Sequence, residues 1–266
     1  MDMSLMLAVA GLPTPLAALI TIGVPLALAL GVGAVIFALF TPQEFAQNAF
    51  VGSVKYGFVV QIYAVVAALT LVGAWDIYQT FRDTLQREVA ILYVLAHAAE
   101  AYNLPEQEGW RQEMRDAIRA YAAAVVTQDW PLMQAGLPSS GSDAEYTRLA
   151  RAFFEAPIHA DNQQAVAENA AGWIHFLAEA RIARLSVMSR TLSSVIWFLV
   201  LTVSVAAIAF QWFFGSASQA MHYAMGSVIA IIVGGVLLVA LKLAFPLVGE
   251  GALLTPRPFL TLMELS

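Results

Sequence analysis

VGAWDIYQTFRDTLQREVAIL, residues 72–92, decides how this chain is to be read. It leaves a long apolar run at Trp75, turns charged at Asp76, and continues past Arg82, Asp83, Arg87 and Glu88 with no Gly or Pro after Gly73. An apolar stripe persists through the charged part: Tyr78, Leu85, Val89, Leu92 and Leu95–Ala96 return at three- and four-residue steps, the period of one helix face. Asp83 and Arg87 are spaced as an i,i+4 pair with the acid on the N-terminal side, the better orientation. The stretch predicts a single rod that starts in one solvent and ends in another.

Composition names the first solvent. Of 266 residues, 60% are hydrophobic and 12% charged, with a mean hydropathy of +0.71; these values belong to integral membrane proteins. A formal charge of −6 and a pI near 5.2 leave no basic stripe to neutralise phosphates, so nucleic acid is excluded as a partner. There is no cysteine, which excludes disulfides, iron–sulfur clusters and thiolate metal sites. The opening MDMSLMLAVAG has no basic residue ahead of its apolar run, so a retained segment is expected rather than a cleaved leader.

Four windows reach the ~20 residues a membrane helix needs: 16–40, 56–75, 192–214 and 223–245. Their one charge is Lys242, close enough to an end to be expected to snorkel. Pro25 predicts a kink in the first window. Tyr56 and Trp75 lie ~28 Å apart along a helix at 1.5 Å per residue, close to a ~30 Å hydrocarbon core. Of thirteen Lys and Arg, ten fall within 76–190, whereas 41–55 holds only Lys55 and 215–222 none. By the positive-inside bias, 76–190 and both termini are expected on the cytoplasmic side of a bacterial inner membrane, with Arg257 in agreement. The expected organisation is 1–75 with the first two spans, 76–190 as an all-helical cytoplasmic region, 191–249 with the last two spans, and 250–266 as a cytoplasmic tail.

Within 76–190 the first rod is expected to stop at AYNLPEQEG, where Pro105 suits a first helical turn and Glu106 and Glu108 its positive end. The next helix carries Trp110, Met114, Ile118, Tyr121 and Val125 along one stripe and ends near DWPLM. AGLPSSGSD, 135–143, reads as a loop that delivers Ser142 and Glu145 as a capping box. From about Asp161 the pattern runs through Trp173, Leu177 and Ala180 to Ser186 with no proline, so a second rod is expected to continue into the third span.

No P-loop, strand-borne GxGxxG, HExxH or GxSxG occurs, so no enzyme is expected. His97, His159, His175 and His222 are scattered and lack the repeated Glu-x-x-His of a di-iron bundle; no metal and no cofactor is expected, and solvated or capping roles are assigned to them. Glycines 52 and 57 open the second span and 226, 234 and 235 lie along the fourth, a pattern of close helix packing.

GSVKYGFVVQIYAVVAALTLVGAWDIYQTFRDTLQREVAIL, 52–92, resembles the signature of the bestrophin-like domain family of bacterial membrane proteins. Its membrane-exit residues here are Trp75, Asp76, Tyr78, Arg82 and Glu88. YAAAVVTQDWPLM (121–133), WFFG (212–215), FPLVGEG (245–251) and RPF (257–259) are similar to further family segments, so the likeness covers about 52–266. One departure is Ala244, where the family often has an acid, with Lys242 nearby. The resemblance implies an all-α membrane protein of four transmembrane helices with a helical extension, similar to bestrophins, which are pentameric channels whose second span lines an apolar neck. No calcium clasp of the eukaryotic members matches, and the neck positions read Phe58, Ile62, Val66 and Thr70.

The function expected from these readings is a homo-oligomeric ion channel. Its pore would be lined by the second span, with Lys55 and Tyr56 near the outer mouth and Phe58, Gln61 and Ile62 below. Val65, Val66 and Leu69 would complete an apolar constriction that gates by dewetting. A ring of Lys55 side chains would favour anions. The alternative is a structural or accessory subunit that docks beside other membrane subunits. Lipid bilayer is the expected surrounding in either case.

Overall fold

Residues 3–40, 42–137, 139–187, 191–214 and 218–264 are described by a computed structural model. Every regular element among them is helical: α1 (Met3–Gly11), α2 (Thr14–Leu39), α3 (Pro42–Ala99), α4 (Glu108–Ala124), α5 (Trp130–Gln134), α6 (Asp143–Phe154), α7 (Asp161–Val187), α8 (Ser194–Phe210), α9 (Gln219–Ala244) and α10 (Arg257–Met263). Among the described residues four stretches are long and apolar enough to cross a membrane: Thr14–Leu39, Ala49–Ala99, Ser194–Phe213 and Gln219–Ala244. The chain is a multi-pass membrane protein. α2 runs through Pro25 without a break in its assigned helix, as spans tolerate when neighbours accept the freed groups.

The 58-residue α3 carries the opening stretch uninterrupted past Trp75 and Asp76, because nothing in 74–99 costs a helix more than ordinary propensity. The second rod does not continue in the same way. α7 ends at Val187, and residues 191–193 are non-helical before Ser194; 188–190 lie outside the described residues. Ser193 adopts φ −59°, ψ 147° and its Oγ accepts from the Ile196 amide at 3.4 Å. The Ser-Ser pair ahead of the apolar run therefore starts a new helix with its own N-cap.

The fold divides into two compact units, Met1–Tyr78 with Thr191–Leu253, and Gln79–Arg190 with Leu254–Ser266. In the first, α2 packs along α9, and two clusters of described residues lie in its core. One gathers Ala10, Ala74, Leu192, Trp197, Val200, Leu241 and Phe245; the other gathers Ala29, Ile36, Tyr63, Ala67, Ile208, Trp212 and Val233. Contact is close at Gly234, where an added Cβ would stand 2.5 Å from the Thr21 carbonyl oxygen and 2.6 Å from the Ile22 Cα.

After α9 the FPLVGEG turn folds back onto the α1–α2 junction. Gly249, at φ +67°, has no room for a side chain against the Gly11 backbone, and the Glu250 amide donates to the Gly11 carbonyl at 3.1 Å. Lys242 does not snorkel. It is 5% exposed, and its Nζ donates to the carbonyls of Ala10 (2.8 Å), Leu12 (2.7 Å) and Gly251 (3.3 Å). A helix end and a turn supply orphan carbonyls, and one ammonium satisfies three of them.

In the second unit α4 packs on α6 and α10, and α6 on α7. Pro105 opens a 3₁₀ turn (Pro105–Gln107) that leads into α4 as its sequence implies. A π-helical turn, Val125–Asp129, joins α4 to α5. The start of α7 is tied down by buried amides: Gln163 donates to Gln107 at 2.6 Å and to the Ala101 carbonyl at 3.2 Å, and accepts from the His159 amide at 2.8 Å.

Candidate functional site

Two places in the molecule hold residues singled out by sequence: the apolar half of α3, which carries the pore candidates, and a buried ionic cluster in the second unit, which takes in Glu88.

Along α3 the buried edge within the first unit is narrow. Tyr63, Ala67, Thr70 and Ala74 recur at three- and four-residue steps and face the core, and the Thr70 hydroxyl donates to the Val66 carbonyl at 2.7 Å. One broad face of the span is uncovered. Val51, Phe58, Val65 and Val72 lie seven residues apart, and Val54, Ile62 and Leu69 fill the steps between them, all more than half exposed. Lys55 and Gln61 are exposed on the same helix. Val66 is the one pore candidate that turns inward, against the cluster around Leu192 and Trp197. Tyr56 also turns inward: its ring stacks on Phe210 at 6.5 Å and meets Phe214 at 5.3 Å.

The membrane-exit residues separate into two kinds. Trp75 and Tyr78 pack their rings at 5.5 Å, while Asp76 and Arg82 are exposed. The expected Asp83–Arg87 pair is not among the ion pairs of the described residues, and both side chains are exposed. Glu88 behaves differently. It is fully buried and accepts from Arg184 Nε at 2.8 Å and from the Tyr121 hydroxyl at 2.6 Å.

Arg184, also fully buried, then reaches Asp129 with Nη2 at 2.9 Å and the Met133 sulfur with Nη1 at 3.3 Å. Asp129 draws in the 139–142 loop. It accepts from the Ser139 hydroxyl at 2.5 Å, the Ser142 hydroxyl at 2.6 Å and the Ser142 amide at 3.2 Å. Arg181 extends the network by donating Nε to Ser142 Oγ at 3.0 Å and by pairing with Asp143. The expected capping box is thus not made. Ser142 stands at the N-cap of α6 without a side-chain cap bond, because its hydroxyl is committed to Asp129.

One guanidinium between two carboxylates inside a helical body is held by hydrogen bonds on every side, the condition under which buried charge is tolerated. Burial works against the Arg184 charge, yet Glu88 and Asp129 beside it keep its pKa above the ordinary arginine value. Burial would raise the Asp129 carboxyl, but the Ser139 and Ser142 hydroxyls and Arg184 outweigh it and hold it below the usual aspartate range. Burial, with the Glu88 charge next, pushes the Tyr121 phenol well above its usual value.

Sequence reading singled out Glu88 and missed Arg184 and Asp129, although a signal existed. Each stands where an apolar stripe should continue: Glu88 between Leu85 and Leu92, Arg184 after Leu177 and Ala180, Asp129 after Tyr121 and Val125. Two acids and one base on three core faces imply one another.

The histidines do not converge. His222 is buried against the rings of Trp212 (4.9 Å) and Phe37 (5.7 Å), a core position rather than a solvated one. His159 lies 3.2 Å from the Gln107 amide, and exposed His175 pairs with Glu179. Among the described residues no three His, Asp or Glu side chains group as metal ligands.

Residues 23–254 match the family model described as the bestrophin-like domain. No curated protein and no solved structure matches the chain.

Proposed function

The chain belongs to the bestrophin-like domain family, and from that membership we propose that it forms a homo-oligomeric ion channel whose pore is lined by the exposed face of α3. The carrying observation is that face. Copies of the chain set around an axis would bring Phe58, Ile62, Val65 and Leu69 of each α3 together as stacked apolar rings. A narrow apolar pore conducts when wetted and closes by dewetting, with no charge buried in the span. Lys55, exposed near one end of the same face, would form a cationic ring that concentrates anions at the mouth. Residues 76–190 and both termini would lie on the cytoplasmic side of the bacterial inner membrane, following the distribution of Lys and Arg. No catalytic step is assigned to the protein.

The test is halide efflux from liposomes containing the purified protein. Leu69→Ser and Ile62→Ser make two of these apolar rings easier to wet, and each is expected to raise flux at least several-fold. Lys55→Glu is expected to move the reversal potential in a chloride gradient towards cation preference. No flux from any variant, in a preparation that remains folded, would overturn the channel reading and leave the accessory-subunit reading in its place.

A further inference from the structure

In the second unit, every side-chain amide hydrogen of Gln107 and Gln163 has a partner. The two side chains form a doubly hydrogen-bonded pair, Gln163 Nε2 donating to Gln107 Oε1 at 2.6 Å and Gln107 Nε2 to Gln163 Oε1 at 3.1 Å. The remaining Gln163 hydrogen goes to the Ala101 carbonyl at 3.2 Å. The remaining Gln107 hydrogen is left for His159, whose Nδ1 stands 3.2 Å from Gln107 Nε2. Gln107 is 1% and Gln163 0% exposed, so a bond lost here is not handed to bulk water.

Which way an amide faces follows from its partners, and here main-chain groups decide it. Gln163 Oε1 accepts from the His159 amide at 2.8 Å, while its Nε2 serves the Ala101 carbonyl. Turning Gln163 over would set nitrogen against an N–H and oxygen against a carbonyl. Gln107 is paired with Gln163 through both of its polar atoms, so its orientation is fixed as well, and it presents a donor to the ring. Nδ1 must therefore accept. A neutral imidazole has one acceptor nitrogen and an imidazolium has none. The ring is thus held as the Nε2–H tautomer, and a proton on Nδ1 would set two donors against each other.

His159 is itself exposed, so solvent protons reach it. No acid on the surrounding elements holds it in the charged form. Glu100 pairs with Arg115, Glu108 with Arg111 and Glu155 with Arg151. Glu106, in the 3₁₀ turn, and Asp161, in the first turn of α7, are exposed, and neither pairs with His159 among the described residues. We propose that His159 is an acid-sensitive tie. Neutral, it joins the connection at 155–160 to the 3₁₀ turn; protonated, its ring leaves Gln107 and loosens the corner between the end of α3 and the start of α7. Imidazole suits the task because it changes charge between about pH 5 and 8. The tie lies in the second unit alone and does not depend on conduction.

The test uses the full-length protein in detergent, isotope-labelled at the histidine nitrogens. At about pH 8, where imidazole is neutral, the His159 ring is expected to show the nitrogen resonances of the Nε2–H tautomer. Hydrogen-exchange protection of the main-chain amide at position 159, corrected for intrinsic exchange, is expected to fall about fivefold on going from about pH 8 to pH 5. His159→Asn keeps an acceptor oxygen near the place of Nδ1 and has no proton to gain, so its protection should be the same at both ends of that range. An Nδ1–H tautomer in the neutral wild-type protein would overturn the proposal, and so would wild-type protection that acid leaves unchanged. An equal fall in His159→Asn would trace the acid effect to another group and overturn it too.

Discussion

At the scale of single residues the second unit depends on Arg184. Removing one member of a buried ion cluster costs ~3–5 kcal/mol, because the charges left behind lose their counter-charge with no water to replace it. Arg184→Met is expected to destabilise this unit by that amount, since it strands both Glu88 and Asp129, each fully buried. Glu88→Gln should cost clearly less, because an amide oxygen still accepts from Tyr121 and the remaining Arg184–Asp129 pair is neutral. Chemical denaturation in detergent, followed by circular dichroism, orders the two; an equal effect would remove Arg184 from the centre of the network. Acid acts on the same cluster through Asp129. Its folded pKa lies below the unfolded value, ~3.9 for aspartate. Its stabilisation is therefore fully present above that value and is lost as pH falls through the folded one. Protection of the Ser142 amide from hydrogen exchange should hold from pH 7 down to about 4 and be lost progressively below that, as pH falls through the lower folded value. Asp129→Asn, which keeps an acceptor oxygen but has no proton to gain, should show Ser142 protection that no longer changes with acid over this range.

Helix pairing in the first unit is set by where backbones touch. Gly234 brings α9 onto the Thr21–Ile22 backbone of α2, while neighbouring Gly235 has nothing within 4 Å of an added Cβ. Gly234→Ala pushes one rigid backbone off another and is expected to cost ~1–3 kcal/mol, the range for overpacking. Gly235→Ala adds a better helix former at an open position and should be neutral or slightly stabilising. Thermal unfolding of the two variants side by side is the measurement; a matched pair of melting curves would mean that α2 and α9 do not meet there. The sequence shows two adjacent glycines and no reason to tell them apart. The difference exists because a helix presents consecutive residues ~100° apart.

For the molecule as a whole, the uncovered face of α3 is the feature that asks for company. Within one 28.6 kDa chain, Val51, Phe58, Val65 and Val72 are all more than half exposed along a seven-residue repeat, the spacing that lets helices meet one another. The channel reading carries a mass with it: the detergent-solubilised particle should be a closed ring of several identical chains, as heterologous contacts around an axis require. A single chain at all concentrations would leave this face to lipid or to a different subunit. Polar residues tell the same story from the other side. Thr70, Ser204 and Gln211 are buried and bond to carbonyls of their own helices, so none of them marks an ion path.

By itself the sequence determined the helical class, the four spans and the uninterrupted passage of α3 through Trp75 and Asp76. These follow from hydropathy and period, which are properties of neighbouring residues and survive without a partner. The cap at Ser193 was also local, yet the absence of proline across 186–194 hid it. What only the tertiary structure decided is which distant groups meet. Glu88 and Arg184 are 96 residues apart and Lys242 lies 230 residues from the Leu12 carbonyl it binds. No spacing encodes such pairs, because a buried charge is indifferent to chain distance and requires only that some partner be present where water is not.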